Sequence, residues 1–267
     1  YGACGGGKSS LLAALCGEVR HLGGGRGVAH GGLAYSPQRA WVSNATVREN
    51  ILFGLPMARG CYDAVLHACA LHADLEQFPA ADLTELGERG INLSGGQQQR
   101  VSLARAVYAA AVGVADVVLL DDPLSALDAH VGAHVFHHAV LGLLKGRTIL
   151  LVTHAVALTL PAASSAVVVE GGRVTAQAPP DADDAPIAAL RRSAGLSLPL
   201  ALPPPPSPPR RPTAVTAASA FQASGTAAST PANGTAGSDA PVEPEGAPPV
   251  QVTTTTSATA TAAGAGA

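Results

Sequence analysis

The 267-residue sequence predicts an α/β fold with a mainly parallel sheet flanked by helices, and three observations carry that prediction. The chain opens on a glycine-rich loop, Tyr1-Gly-Ala-Cys-Gly-Gly-Gly-Lys-Ser-Ser10, followed at once by the apolar helical run Leu11, Leu12 and Leu15. Val117 to Leu120 form a continuous apolar stretch that ends in Asp121-Asp122-Pro123. Thr148 to Val152 form another, ending at Thr153-His154. Unbroken apolar runs of this length fit strands buried on both faces, as parallel strands are.

The opening loop fits G-x-x-x-x-G-K-[ST], with Gly2, Gly7, Lys8 and Ser9 in the fixed places. That pattern predicts a P-loop NTPase core. The glycines let backbone N–H groups wrap a triphosphate, Lys8 places a point charge near the outer phosphates, and the Ser9 hydroxyl is suited to ligate Mg²⁺. Gly5 and Ser10 complete the ATP-binding set of this loop. Such a loop hangs from a buried strand. Because the sequence begins at the loop itself, the expectation is a fragment whose N-terminal β part is truncated.

His21 to Gly32 is glycine-rich, with short β-like pieces around Val28 and Leu33 to Tyr35 leading into Ser36-Pro37-Gln38. Gln38 follows a strand, where its amide can reach Mg²⁺ or a water. Cys61 to Leu75 reads as one amphipathic helix with Val65, Leu66, Cys69 and His72 on one side. It belongs to a mainly helical stretch that ends at Ser94.

Ser94 followed three residues later by Gln97 reads as a capping box, which predicts a helix from Ser94 through Val107. Gly95 and Gly96 leave the first turn bare, so unpaired backbone N–H groups and the positive end of the helix dipole can approach a phosphate. Ser94, Gly95, Gly96 and Gln97 are therefore expected nucleotide contacts. Downstream, ligands in open parallel sheets sit beyond the carboxyl ends of strands. Asp121 is placed there to hold Mg²⁺, Asp122 to face the attacking water, and His154 to sense the γ-phosphate.

Composition divides the chain. Residues 1–177 are mixed and aliphatic; from Ala178 the sequence becomes Pro, Ala, Thr and Ser, with Phe221 its only aromatic residue. That tail, 178–267, is expected to be disordered, with local polyproline II at Pro203 to Pro206, because it buries too little apolar surface to offset ordering entropy. A net charge of −3 without a basic patch argues against a nucleic-acid partner. The four cysteines lack zinc-like spacing and are expected to be reduced and mostly buried. Thr148 to Val169 lacks Asp, Glu, Lys and Arg, but His154 and Pro161 interrupt it. It reads as strand, loop, short helix and strand rather than a membrane span.

These pieces in this order resemble the nucleotide-binding domain of an ATP-binding-cassette (ABC) transporter, from Gly2 to about Val174. Gly2 to Ser9 resembles Walker A, Gln38 the Q-loop glutamine, Leu93 to Gln97 the LSGGQ signature, and Val118 to Asp121 Walker B. Ser125 to Asp128 resembles the D-loop, His154 the switch histidine, and Thr84 to Gly90 the exporter loop that touches the membrane domains. AWVSNATVRENILFG, TELGERGINLSGGQQQRVSLARAVY and LLDDPLSALDAHVG are similar to the first nucleotide-binding domain of C-subfamily, multidrug-resistance-associated exporters. The sequence departs from the family in a few extra residues within Ala109 to Ala115, and in Ser164 and Ser165 where an Asp is usual.

The resemblance implies an ATPase at the cytoplasmic face of a membrane, with ATP and Mg²⁺ as cofactors. A second nucleotide-binding domain pairs with it head to tail, each ATP lying between Walker A of one domain and the signature helix of the other. The membrane domains of an exporter are the further partner. In that family the first domain carries Asp where other cassettes carry the catalytic Glu, so Asp122 implies slow hydrolysis at this domain's own site. Two alternatives are a non-hydrolysing regulatory ATP-binding module and a soluble, non-transport ABC ATPase.

Overall fold

A computed structural model describes residues 1–19, 30–87 and 92–202. The expected strand piece at Val28, the end of the Thr84 to Gly90 loop, Ile91 and the tail beyond 202, Pro203 to Pro206 included, lie outside the described residues.

Three strands, β1 (Leu33–Ser36), β2 (Val117–Asp121) and β3 (Thr148–Val152), form a parallel sheet in the order β1-β2-β3. Register runs Leu33 beside Val117 on one side and Asp121 beside Val152 on the other. β2 is buried along its whole length, whereas β3, which among the described residues pairs with β2 alone, is half-buried throughout. Beyond them β4 (Ala166–Glu170) and β5 (Arg173–Ala178) form an antiparallel pair. Tyr1 runs alongside β4: its amino group donates to the Val167 carbonyl at 2.8 Å, and the Val169 N–H donates to its carbonyl at 2.9 Å.

Successive side chains of a strand point to opposite faces, and β2 shows what that does here. Val117 and Leu119 pack with Leu12 of α1 (Lys8–Leu15). Val118 and Leu120 face the other way, into a larger core built on α5 (Gly95–Ala111) through Val101, Leu103, Ala104 and Val107. Against α5 stand α2 (Val47–Leu52) and α3 (Arg59–Ala68), and α4 (His72–Gln77) reaches it through the side chain of Asp74. Tyr108 ties them together, its hydroxyl donating to the Pro56 carbonyl at 2.6 Å and accepting from the Ala58 N–H at 2.8 Å.

After β2 the chain forms α6 (Ala129–Val135), which widens into a π-helix over Phe136–Leu143. Past β3 come α7 (Val156–Thr159), a 3₁₀ turn at Leu160–Ala162 and β4, so Thr148 to Val169 is strand, loop, helix and strand. Among the described residues no helix is long and apolar enough to cross a membrane. The extra residues within Ala109 to Ala115 are absorbed by the last turn of α5 and a turn in which the Val114 N–H donates to the Ala109 carbonyl at 2.9 Å.

Four expectations are corrected. Cys61 to Leu75 is not one helix: Ala70, at φ 54°, breaks it between α3 and α4. The break advances the face by one residue, so Leu71 is buried and His72, expected inside, is exposed. Of the α1 leucines, a run expected to pack inward, only Leu12 is buried; Leu15 is half-buried and Leu11 is exposed, because one helix turn meets β2. Of the cysteines Cys69 alone is buried; Cys4 is exposed, Cys16 and Cys61 intermediate, and all four are free.

The fourth correction concerns the start of the tail. Helix α8 (Ala185–Ser193) follows Ala178 and seats Ile187, fully buried, against Leu160, Ala166, Val168 and Ala176. Arg191 donates to the carbonyls of Pro180 at 2.9 Å and Ala182 at 2.6 Å, fastening the connection. Composition averaged over the tail hid one short amphipathic helix inside it. Ile187→Ala should therefore destabilise the chain by about 2–5 kcal/mol, the usual cost of emptying a buried Ile site. Urea titration of the two chains checks this, and equal midpoints would show that α8 does not pack on β4 and β5.

Candidate functional site

The opening loop closes on the β4–β5 turn. The Gly172 N–H donates to the Gly6 carbonyl at 3.0 Å, and a Cβ on Gly2 would stand 2.1 Å from the Val169 carbonyl oxygen, so only glycine fits there. Gly7, left-handed at φ 100°, caps α1 without a side-chain hydrogen bond. The first turn of α1 therefore keeps its N–H groups free to meet an anion. Lys8 is buried and lies across the loop, its Nζ donating to the carbonyls of Gly2 at 2.9 Å and Ala3 at 2.8 Å. Gly5, Ser9 and Ser10 are exposed around it.

Asp121 shares the face of β2 that carries Val117 and Leu119, the face on which α1 packs. It is buried, and its Oδ1 has no hydrogen-bond partner. An orphaned buried carboxylate oxygen is costly unless a cation or donor completes it, so the residues present fit a Mg²⁺ held between the phosphate loop and the end of β2. Tyr35, opposite Leu119 in register, lies on the same face. Burial pushes its phenol up to about 12, with the charge of Asp121 adding to the rise. Tyr35 was missed from sequence, although strand alternation from Ala34, buried on the other face, points to it.

Asp122 is buried too, and its backbone is left-handed at φ 49°. Its N–H donates to the Val152 carbonyl at 2.9 Å, and its carbonyl accepts from Ser125 Oγ at 2.8 Å. Asp tolerates that conformation better than longer side chains do, so the residue type has a backbone reason beside any chemical one. His154, exposed two residues beyond the end of β3, lines a cavity of about 640 Å³ with Leu124, Leu127, Asp128 and Gly132. Gln38 is exposed, two residues past the end of β1, whose last residue Ser36 lies beside Leu120. The strand ends thus bring Gln38, Asp121, Asp122 and His154 to one edge of the sheet.

The Ser94 cap forms as its sequence requires: Ser94 Oγ accepts from the Gln97 N–H at 3.3 Å, and Gln97 Oε1 accepts from the Ser94 N–H at 2.9 Å. Gly95 is open, with nothing near the place of a Cβ, while Gly96 backs onto the Ala126 carbonyl. The helix runs to Ala111, four residues beyond the expected Val107. Its core contacts lie on the Val118 and Leu120 face, opposite the face of α1. One domain therefore holds the phosphate loop and the signature turn on different sides of its sheet.

Sequence reasoning also missed what fixes that turn. Gln97 Nε2 donates to Asp74 Oδ1 at 3.0 Å, and Asp74 Oδ2 accepts from Arg100 at 2.5 Å. Asp74 is buried at the start of α4 and Arg100 nearly so. No sequence spacing links residues 74 and 97; only the packing of α4 on α5 does. A second cluster stands nearby: the Arg105 guanidinium lies 3.8 Å over the Trp41 ring and 4.8 Å from that of Phe53, both rings exposed. The described half of the Thr84 loop is anchored to Ala45, Thr46 and Val47, with the Leu86 N–H donating to the Ala45 carbonyl and the Val47 N–H to the Thr84 carbonyl, both at 3.0 Å.

Loop, helix and strand-end acid together define a P-loop NTPase domain. Residues 1–125 match the family described as ABC transporter. The chain is 51% identical over 174 residues to "ABC transporter C family member 3" of Dictyostelium discoideum, covering 65% of this chain and 12% of that protein. It is 55% identical over 172 residues to "Multidrug resistance protein mrp-7" of Caenorhabditis elegans, covering 64% and 11%. It is 51% identical over 182 residues to "ATP-binding cassette sub-family C member 3" of Homo sapiens, covering 67% and 11%. The chain thus spans about an eighth or less of the length of these relatives.

Asp74→Ala should cost about 1.5–3 kcal/mol, the range for hydrogen bonds to charged groups, because it leaves Arg100 and Gln97 without their acceptor. Equilibrium denaturation reads the loss. A variant as stable as the original chain would mean that the Gln97–Asp74–Arg100 network does not hold the turn.

Proposed function

We propose that this chain carries an ATP-binding and ATP-hydrolysing domain of an ABC exporter at the cytoplasmic face of a membrane. It pairs head to tail with a second nucleotide-binding domain, and ATP bound between the two couples to the membrane domains. The observation that supports this reading most is the division of the domain by β2. Lys8, Ser9 and Asp121 gather on one side, and the open turn at Gly95 belongs to a helix on the other. A domain so divided offers half of each of two sites, which two domains in opposite orientation complete.

In this reading Gly2, Gly5, Gly7, Lys8, Ser9 and Ser10 hold the phosphates, and Ser9, Gln38 and Asp121 hold the Mg²⁺, which supplies charge neutralisation when bound. The Lys8 ammonium, now satisfied by loop carbonyls, turns to the outer phosphates. Ser94, Gly95, Gly96 and Gln97 serve the nucleotide of the partner domain. His154 orients the γ-phosphate from the far edge. The loop from Thr84 contacts the membrane domains, and the exposed Trp41 and Phe53, the latter at the other end of α2 from Thr46, give this part of the surface apolar area.

The site's own turnover is slow, because the carboxylate of Asp122 is one methylene shorter than that of a glutamate. A setback of roughly 1 Å can cost on the order of 100-fold, and general-base assistance as a whole about 10²–10⁴. The alternative of a non-hydrolysing regulatory module rests on the same residue. The soluble, non-transport alternative is disfavoured by the Thr84 loop and by the lack of a basic stripe.

Lys8→Ala should nearly abolish ATP binding by the full chain in calorimetry, and unchanged affinity would remove the phosphate-loop assignment. In the assembled transporter, with the partner's Walker B site disabled, Asp122→Glu should raise single-turnover hydrolysis while sparing ATP affinity. Its left-handed backbone makes a parallel melting measurement necessary. Fast hydrolysis with Asp122 in place, or no rise in a folded Asp122→Glu variant, would show that side-chain length does not limit turnover. Gly95→Asp should leave ATP binding by this chain intact yet block turnover by the pair, since it sets an anion against the partner's γ-phosphate; surviving turnover would take the signature turn away from the partner site.

A further inference from the structure

Three imidazoles converge on a surface that the ATP site does not use. His67 on α3 lies 5.2 Å, ring centre to ring centre, from His134 on α6 and 5.1 Å from His138 on the π-helical extension, and His134 and His138 are 4.3 Å apart. His67 is exposed and the other two half-exposed. His134 and His138 are four residues apart along one helix, the spacing that places two side chains on one face. The π-helical widening that begins at Phe136 falls between them.

We propose that His67, His134 and His138 form a binding site for a divalent transition cation, Zn²⁺ fitting best, with a fourth position left to water. A Zn²⁺ about 2.0–2.1 Å from three imidazole nitrogens lies roughly 3.2 Å from each ring centre, which sets the centres roughly 4.5–5.3 Å apart for angles of 90° to 109°. Two of the observed separations fall inside that window and the third just below it. The nitrogens have not yet converged, since among the described residues no three His, Cys, Asp or Glu groups are arranged to hold a metal ion. Rotation of His67 and His138 about χ2 would close that difference, with His134 held by its own hydrogen bond. The Cβ–Cγ axis passes close to the ring centre, so the ring turns about χ2, a soft torsion, while its centre stays in place.

His134 is already half prepared. Its Nε2 lies 2.8 Å from the His67 backbone carbonyl, and because a carbonyl only accepts, Nε2 carries a proton, which in the neutral ring leaves the Nδ1 lone pair for a metal. A metal-bound histidine is held in the same way, with its second nitrogen donating to a backbone carbonyl. His67 and His138 favour the neutral form, burial first and then the neighbouring imidazoles lowering their pKa values. Ligation by three neutral imidazoles selects Zn²⁺, Ni²⁺ or Cu²⁺ over Mg²⁺, so the site is distinct from any Mg²⁺ at Asp121.

The test is calorimetric titration of the chelator-treated 267-residue chain with ZnCl₂ at pH 7.5, without nucleotide. One equivalent should bind, and His134→Ala or His138→Ala should each weaken it at least ~10-fold. His138→Cys, which replaces one ligand by another, should retain it. Binding at pH 5.5 should be weaker, as protons compete for the same lone pairs. An equivalent that survives in the double variant H134A/H138A would overturn the proposal, because the metal would then sit elsewhere, as on the free cysteines. If the alanine variants lose their fold, X-ray absorption of the loaded original chain decides: three nitrogen neighbours at about 2.0 Å support the site, and sulfur neighbours overturn it.

Discussion

The alternation of side chains along β2 is the constraint on which this domain depends. Five buried residues, Val117 to Asp121, belong to two cores at once. Odd positions meet α1 and even positions meet α5, so the helix that begins at the phosphate loop and the helix that begins at the signature turn cannot share a side. The same alternation delivers the Asp121 carboxylate to the α1 side, into burial, with an oxygen left unpaired. A register slip of one residue would send Asp121 into the helical core and Leu120 to the α1 side. Chemistry and packing are therefore fixed together.

The second half of the design is the stiffness of the Ser94 turn. A capping box alone holds a helix end, but here Gln97 uses both ends of its amide, one for the Ser94 N–H and one for Asp74. Asp74 in turn neutralises Arg100 in a largely buried position. In the proposed reading the open glycine turn presents backbone N–H groups to a phosphate, and support of this kind suits it, because pre-organised donors need no reordering when the charge arrives. Removing one member strands the others.

Much of this was legible in the sequence because the informative features are local. The loop motif, the capping box and the two apolar strands are each read from a few consecutive residues, and each element stands where those residues put it. What failed was non-local. Left-handed Ala70 splits a helix that hydrophobic period alone joined, and Leu71 rather than His72 takes the buried place. Ile187 packs on β4 and β5 from a segment whose composition resembles the rest of the Pro-, Ala-, Thr- and Ser-rich tail. Tyr35 and Asp74 join their sites through strand register and helix packing, which no spacing within the chain encodes. The left-handed backbone of Asp122 gives its residue type a second cause that the family resemblance, with its emphasis on the catalytic carboxylate, does not contain.

The central claim is that this chain's own metal-nucleotide site is built from the α1 face of β2 and owes nothing to its own signature turn. Electron paramagnetic resonance of Mn²⁺, substituted for Mg²⁺ in the ATP complex of the full chain, tests it directly. Asp121→Asn should weaken Mn²⁺ binding at least ~10-fold, since a neutral amide replaces the buried carboxylate whose Oδ1 has no protein partner, while Ser94→Ala should leave it unchanged. Equal weakening by both substitutions, or by neither, would contradict the division of the domain by β2.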